Sequence, residues 1–312
     1  MEKQTMQAQQ LIDKMSDALA QVNQVILGKE LQLKLAFTCL IAKGHLLIED
    51  LPGMGKTTLS HALANVLGLS YNRVQFTSDL LPSDVLGVTI FNRDENSFEF
   101  HKGPIFSQVV LADEINRASP KTQSALLEAM EEFQVSIEGA SHPLPQPFFV
   151  IATQNPMDQA GTYPLPESQL DRFLMRVTLG YPPAEAEREL LKGVNRRDMA
   201  KELPSIISPK ELMQLQLLSS NIKVSDALLD YIQRLVAFSR ESAETQIGLS
   251  PRGALSLLRS AQAWAMIHGR GYVIPDDVQA VLASVVDHRV TLSSMASHQT
   301  LSSMMLEQVA AI

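Results

Sequence analysis

The stretch "EDLPGMGKTTLSHALA" (49–64) holds the residues with the clearest chemistry. Gly53, Met54 and Gly55 run into Lys56, Thr57 and Thr58. In a phosphate-binding loop, backbone N–H groups converge on phosphate oxygens at a helix N-terminus, and side chains at the glycine positions would obstruct that approach. A lysine supplies the cation for the β- and γ-phosphates, and a hydroxyl such as that of Thr57 can reach Mg²⁺. The strict pattern G-x-x-x-x-G-K-[ST] wants glycine where Asp50 stands. That first glycine mainly eases a turn, and Asp tolerates turn conformations. The Asp50 carboxylate is therefore expected to point away from the phosphates, and Asp50→Gly to be close to neutral for ATP binding or to tighten it by removing a nearby negative charge.

Other residues could complete such a site. "VVLADEINRA" (109–118) places Asp113 and Glu114 at the end of an apolar run. An Asp there can hold Mg²⁺, and a Glu beside it can orient an attacking water. The pair could also merely cap the helix that starts at Ser119. "FFVIATQNP" (148–156) ends in Asn155, whose amide could bridge water and γ-phosphate or simply form a turn before Pro156. Arg172 in "LDRF" has a bland alternative as a surface ion pair. Arg252 in "GLSPRGAL" could be a solvated first-turn residue, although a cation at a helix N-terminus opposes the dipole.

These residues need strands and helices to bring them together. "HLLIE" (45–49), "RVQFT" (73–77), "VVLAD" (109–113), "FFVIA" (148–152) and "RVTLG" (176–180) are short apolar runs suited to strands buried on both faces. Helical patterns between them include 56–67 and 119–132, the latter with Ser119 as N-cap and Pro120 at the first helical position. The alternation predicts a parallel α/β sheet, whose strand ends converge on one crevice. "GVTIFNRDENSFEFHKG" (87–103) interrupts it with a hairpin signature. After "GYPPAEAE" (180–187) the pattern turns helical. The expected domains are 1–183, α/β, and 184–312, helical, with Tyr181–Pro183 as hinge. The tail from Ser293 is uninformative.

The chain has 312 residues, enough for about two domains. Its net charge is −8, without a Lys/Arg run, which argues against a nucleic-acid surface. Cys39, the single cysteine, cannot form an internal disulfide. The seven histidines show no metal-ligand spacing. No window reaches the ~18 apolar residues of a membrane span, and the N-terminus lacks an apolar signal core. A cytoplasmic location is expected.

Taken together, "EDLPGMGKTTLSHALA", "VVLADEINRASPKTQSALLEAMEE", "IATQNP" and "GTYPLPESQLDRFLMRVTLGYP" resemble the MoxR group of AAA+ ATPases, over about Val25 to Val290. The resemblance implies a P-loop AAA+ core with a five-stranded parallel sheet and a β-hairpin insert, followed by a small all-helical lid. It implies a Walker A at Gly53–Thr57 and a Walker B at Asp113, with Glu114 as catalytic base. Asn155 matches sensor 1, Arg172 the arginine finger serving a neighbouring subunit, and Arg252 sensor 2. "VILGKE" (25–30) resembles the segment lining the adenine pocket. The implied cofactors are ATP and Mg²⁺, the latter held by Thr57 and Asp113. The implied activity is ATP hydrolysis driving chaperone-like remodelling or cofactor insertion, in a homo-oligomeric, hexameric ring. A von Willebrand A-domain partner and a protein client are implied with it. A small-substrate P-loop kinase and a nucleic-acid-acting AAA+ motor are the alternatives. The tail beyond Val290 matches nothing in the family pattern.

Overall fold

Alternate residues of the central strands enter opposite cores. In the computed structural model, which describes residues 2–156, 161–193, 195–292 and 299–311, Leu46 and Ile48 join one buried cluster and Leu47 the other. Period-two alternation with apolar residues on both faces requires helices on both sides of the sheet.

Two helices come first, α1 (Glu2–Val25) and α2 (Glu30–Ile41). The α/β elements follow as β1 (Leu46–Glu49), α3 (Lys56–Val66), β2 (Tyr71–Gln75) and α4 (Pro82–Leu86). Next come β3 (Gly87–Asn92), β4 (Ser97–Lys102), β5 (Val109–Asp113) and α5 (Pro120–Glu132). Then β6 (Gln134–Ile137), β7 (Ala140–Pro143), β8 (Phe149–Gln154), α6 (Glu167–Leu170) and β9 (Met175–Val177) complete this half. The parallel sheet has five strands in the order β2-β5-β8-β1-β9. The α2 helix is apolar nearly all round and accordingly buried. Ser119 caps α5, accepting from the Thr122 amide, with Pro120 opening the helix. The expected hairpin is β3–β4. A second one, β6–β7, has no counterpart in the sequence reading, because its strands are short and largely exposed.

Helices dominate beyond residue 183: α7 (Ala184–Leu191), α8 (Arg196–Glu202), α9 (Pro209–Ser220) and α10 (Asp226–Glu241). After β10 (Thr245–Ile247) come α11 (Pro251–Ile267), α12 (Pro275–Val286), β11 (Thr291–Leu292) and α13 (Leu301–Gln308). The two short strands pair antiparallel, a small addition to the helical lid. Of the tail, 293–298 lies outside the described residues, whereas α13 buries Leu301, Met304 and Met305 against the lid. One buried cluster contains Leu11 and Met15 of α1, Phe37 of α2, Leu212 of α9 and Leu257 of α11. The N-terminal helices α1 and α2 thus share apolar packing with α9 and α11. Among the described residues no helix is long and apolar enough to cross a membrane.

Candidate functional site

Gly53 and Gly55 hold φ of +84° and +90°, the left-handed region that glycine adopts without steric cost. No heavy atom lies within 4 Å of where a Cβ would stand at either one, so backbone conformation, not crowding, selects glycine. The α3 helix begins at Lys56, which aims the loop and first-turn N–H groups at the carboxyl edge of the sheet. Thr57 and Thr58 occupy that first turn, and Met54 packs its side chain on the core. Lys56 Nζ donates to the Asp50 carbonyl at 2.6 Å, folding the cation over the loop.

Asp50 itself is buried, 5% exposed. Its Oδ1 accepts from the Leu51 amide at 2.8 Å, and its Oδ2 from the Gly180 amide at 2.6 Å. The carboxylate points away from the loop cradle, as expected. Glycine at position 50 would leave the part-buried Gly180 N–H without this acceptor, a cost to the fold distinct from any effect on nucleotide binding.

Asp113 ends β5, one strand removed from β1 across β8. Thr153 donates to its Oδ1 at 2.6 Å, and Arg73 to its Oδ2 at 2.7 Å. Glu114 adopts a left-handed backbone, φ +57°, a conformation that costs free energy in a non-glycine residue and concentrates at functional sites. Its amide donates to Thr153 Oγ1 at 2.9 Å. Its Oε2 accepts from Gln75 Nε2 at 2.8 Å. Asn155 follows β8, and the Glu49–Gln154 register sets it beside Asp50 at the same edge. Loop, Asp113, Glu114 and Asn155 therefore gather at the carboxyl ends of β1, β5 and β8.

Arg172 and Arg252 do not join them. Met175 pairs with Leu46, so Arg172 lies beyond the amino ends of the strands. Because β9 is the immediate neighbour of β1, the separation of Arg172 from the loop runs along the strand axis and not across the sheet. Both arginines meet Glu131 near the end of α5: Arg172 Nη2 stands 3.2 Å from Oε2, and Arg252 Nη2 contacts Oε1. Hydrogen bonding from Arg252 holds the Glu131 carboxyl below its ordinary pKa. Asp171 accepts from Arg289 Nε at 2.9 Å and from Ser250, the N-cap of α11, at 3.1 Å. The buried Arg289 also donates to the Phe173 and Leu174 carbonyls.

Sequence reading missed Arg73, Gln75, Thr153, Glu131, Asp171 and Arg289. Arg73 and Gln75 carried one signal, polar residues at i and i+2 in an otherwise strand-like run. Nothing distinguishes Glu131 within "LEAMEEF".

Residues 45–175 match the ATPase family associated with various cellular activities (AAA), and residues 237–308 match the AAA lid domain. Chaperone MoxR1 of Mycobacterium tuberculosis is 40% identical over 287 residues, covering 88% of this chain and 75% of that protein. The chain belongs to the MoxR family of AAA+ ATPases. YeaC, an uncharacterized protein of Bacillus subtilis, is 46% identical over 282 residues, 90% of this chain and 88% of that one. A crystal structure of a protein from Cytophaga hutchinsonii superposes with a TM-score of 0.91 at 35% identity, over 99% of this chain and 98% of that one. The family supports nucleotide binding, ATP hydrolysis and a chaperone-like role, on the P-loop sheet with hairpin insert and lid described above.

Proposed function

We propose that this MoxR-family chain hydrolyses ATP with Mg²⁺ at the carboxyl edge of the sheet, and that hydrolysis drives chaperone-like remodelling of client proteins or their maturation by cofactor insertion. The observation carrying this reading is the convergence of the left-handed Gly53–Gly55 loop, at the start of α3, with Asp113 and Glu114 at the end of β5. The loop amides would hold the phosphates, and Lys56 would swing from the Asp50 carbonyl to the β- and γ-phosphates. The Thr57 hydroxyl and the Asp113 carboxylate are hard oxygen donors that fit Mg²⁺. Bound there, the ion neutralises charge on the phosphate oxygens. Glu114 would accept the proton of the attacking water once it leaves Gln75, and Asn155 would orient that water.

Arg172 and Arg252, at the other end of the strands, suit the ATP of an adjacent subunit better than their own. That placement supports a head-to-tail ring, with a hexamer as the family expectation. A von Willebrand A-domain partner and a protein client complete the proposal. The domain division at 183/184 is part of it, with the lid turning on Tyr181–Pro183. The test is a pair of variants. Lys56→Ala should abolish ATP binding or turnover while remaining folded, and Glu114→Gln should bind ATP and retain it unhydrolysed. Wild-type turnover by both would overturn the assignment.

A further inference from the structure

Asp50 is out of place in a phosphate-loop pattern, and its neighbours give it a separate task. Three segments meet around it. The first is the base of the loop, at Asp50–Leu51. The second is the outlet of β9, where Gly180 turns the chain with φ +64° towards Pro182 and Pro183. The third is the 25–30 segment ahead of α2. There a Cβ on Gly28 would lie 2.6 Å from Pro183 Cδ, so the two segments pack backbone to ring. Two buried charges bind the junction together. Asp50 takes the Gly180 amide at 2.6 Å, and Lys29, 8% exposed, donates to the Tyr181 carbonyl at 2.6 Å. The Asp50 charge opposes the fall in Lys29 pKa that burial imposes.

The same residue touches the loop from its other end. The Asp50 carbonyl accepts the Lys56 ammonium, the group that must move when phosphate arrives. A single residue thus contacts the phosphate-sensing cation through its backbone and the interdomain linker through its side chain. Charge-assisted bonds to a buried carboxylate are short and directional, so a shift at one end is carried to the other.

We propose that Asp50 is a positioning residue, a latch that couples nucleotide occupancy of the loop to the setting of the 180–183 hinge and so of the lid. The proposal rests on the phosphate-loop reading above and adds a route from that loop to the hinge. Asp50→Asn is the decisive variant, because one of its two amide acceptors becomes a donor while volume is conserved.

Hydrogen exchange is followed with and without Mg²⁺–ADP in the wild type, Asp50→Asn and Lys29→Met. In the wild type, nucleotide should slow exchange in both the 51–58 loop and the 178–184 segment. In Asp50→Asn the loop should keep its protection. The hinge should exchange about tenfold faster or more, at the same rate with and without nucleotide. Lys29→Met, which cuts the Tyr181 bond alone, should weaken hinge protection in the same sense, and it carries the test if Asp50→Asn does not fold. Wild-type, nucleotide-dependent hinge protection in Asp50→Asn, or in Lys29→Met where that stands alone, overturns the latch. So does a wild-type hinge indifferent to nucleotide while the loop responds. A wild-type loop that gains no protection from nucleotide overturns the phosphate-loop reading, and the latch with it.

Discussion

Arg172 and Glu131 stand 3.2 Å apart beyond the amino ends of the sheet strands, on the edge opposite the phosphate loop. Arg252 of the lid reaches the same carboxylate, so one glutamate holds an arginine from each half of the chain. The Ser250–Asp171 bond joins the two arginine-bearing segments a second time. The arginines form a unit, turned away from their own loop.

Subunit mixing tests where that unit acts. An arginine finger is worth roughly 10³–10⁵ in rate. Arg172→Ala and Lys56→Ala should each be nearly inactive alone, and should regain part of the ATPase rate when exchanged into common assemblies. Phosphate release measures this. No recovery despite demonstrated co-assembly counts against action in trans.

Gln75 restrains Glu114 through a hydrogen bond of 2.8 Å. Gln75→Leu removes that bond from a partly exposed carboxylate while keeping β2 apolar enough to form. Basal turnover should rise about threefold or more, because Glu114 then keeps only the longer contact with Arg117, 3.5 Å, to give up before meeting water. An unchanged steady-state rate would show that Gln75 does not gate the base.

His45 should set part of the acid limit of stability. Its Nδ1 accepts from the Val150 amide at 3.0 Å, so the neutral ring carries its proton on Nε2, facing the Met130 carbonyl. Burial lowers its pKa from 6.5 to about 4. The folded state binds this proton more weakly than the unfolded chain, so the contribution is complete above pH 6.5 and lost as pH falls towards 4. The loss is on the order of 3 kcal/mol. Urea unfolding between those limits should show the decline, and His45→Gln, which cannot protonate there, should flatten it.

Arg289 is buried against Asp171 and the Phe173 and Leu174 carbonyls. Arg289→Met leaves these acceptors without their donor and should cost about 3–5 kcal/mol in chemical unfolding. A loss below 1 kcal/mol, roughly that of an exposed ion pair, would show that the network is not cooperative.

The alternation of apolar runs with helical patterns was enough to predict the parallel sheet and a helical lid after it, because buried strands and amphipathic helices are dictated by local periodicity. The loop residues were legible for the same kind of reason: Gly53, Gly55, Lys56 and Thr57 lie within one turn of chain. Glu131 and Asp171 were not legible, since their partners are far away in sequence and surface carboxylates carry no local mark. Asp50 shows the boundary between the two. Its departure from the loop pattern is visible in the sequence, but its partner, the Gly180 amide, is 130 residues away. Only the parallel pairing of β9 with β1 brings that amide to the base of the loop. Side-chain type is local, whereas the acceptor a buried N–H finds depends on which strands become neighbours.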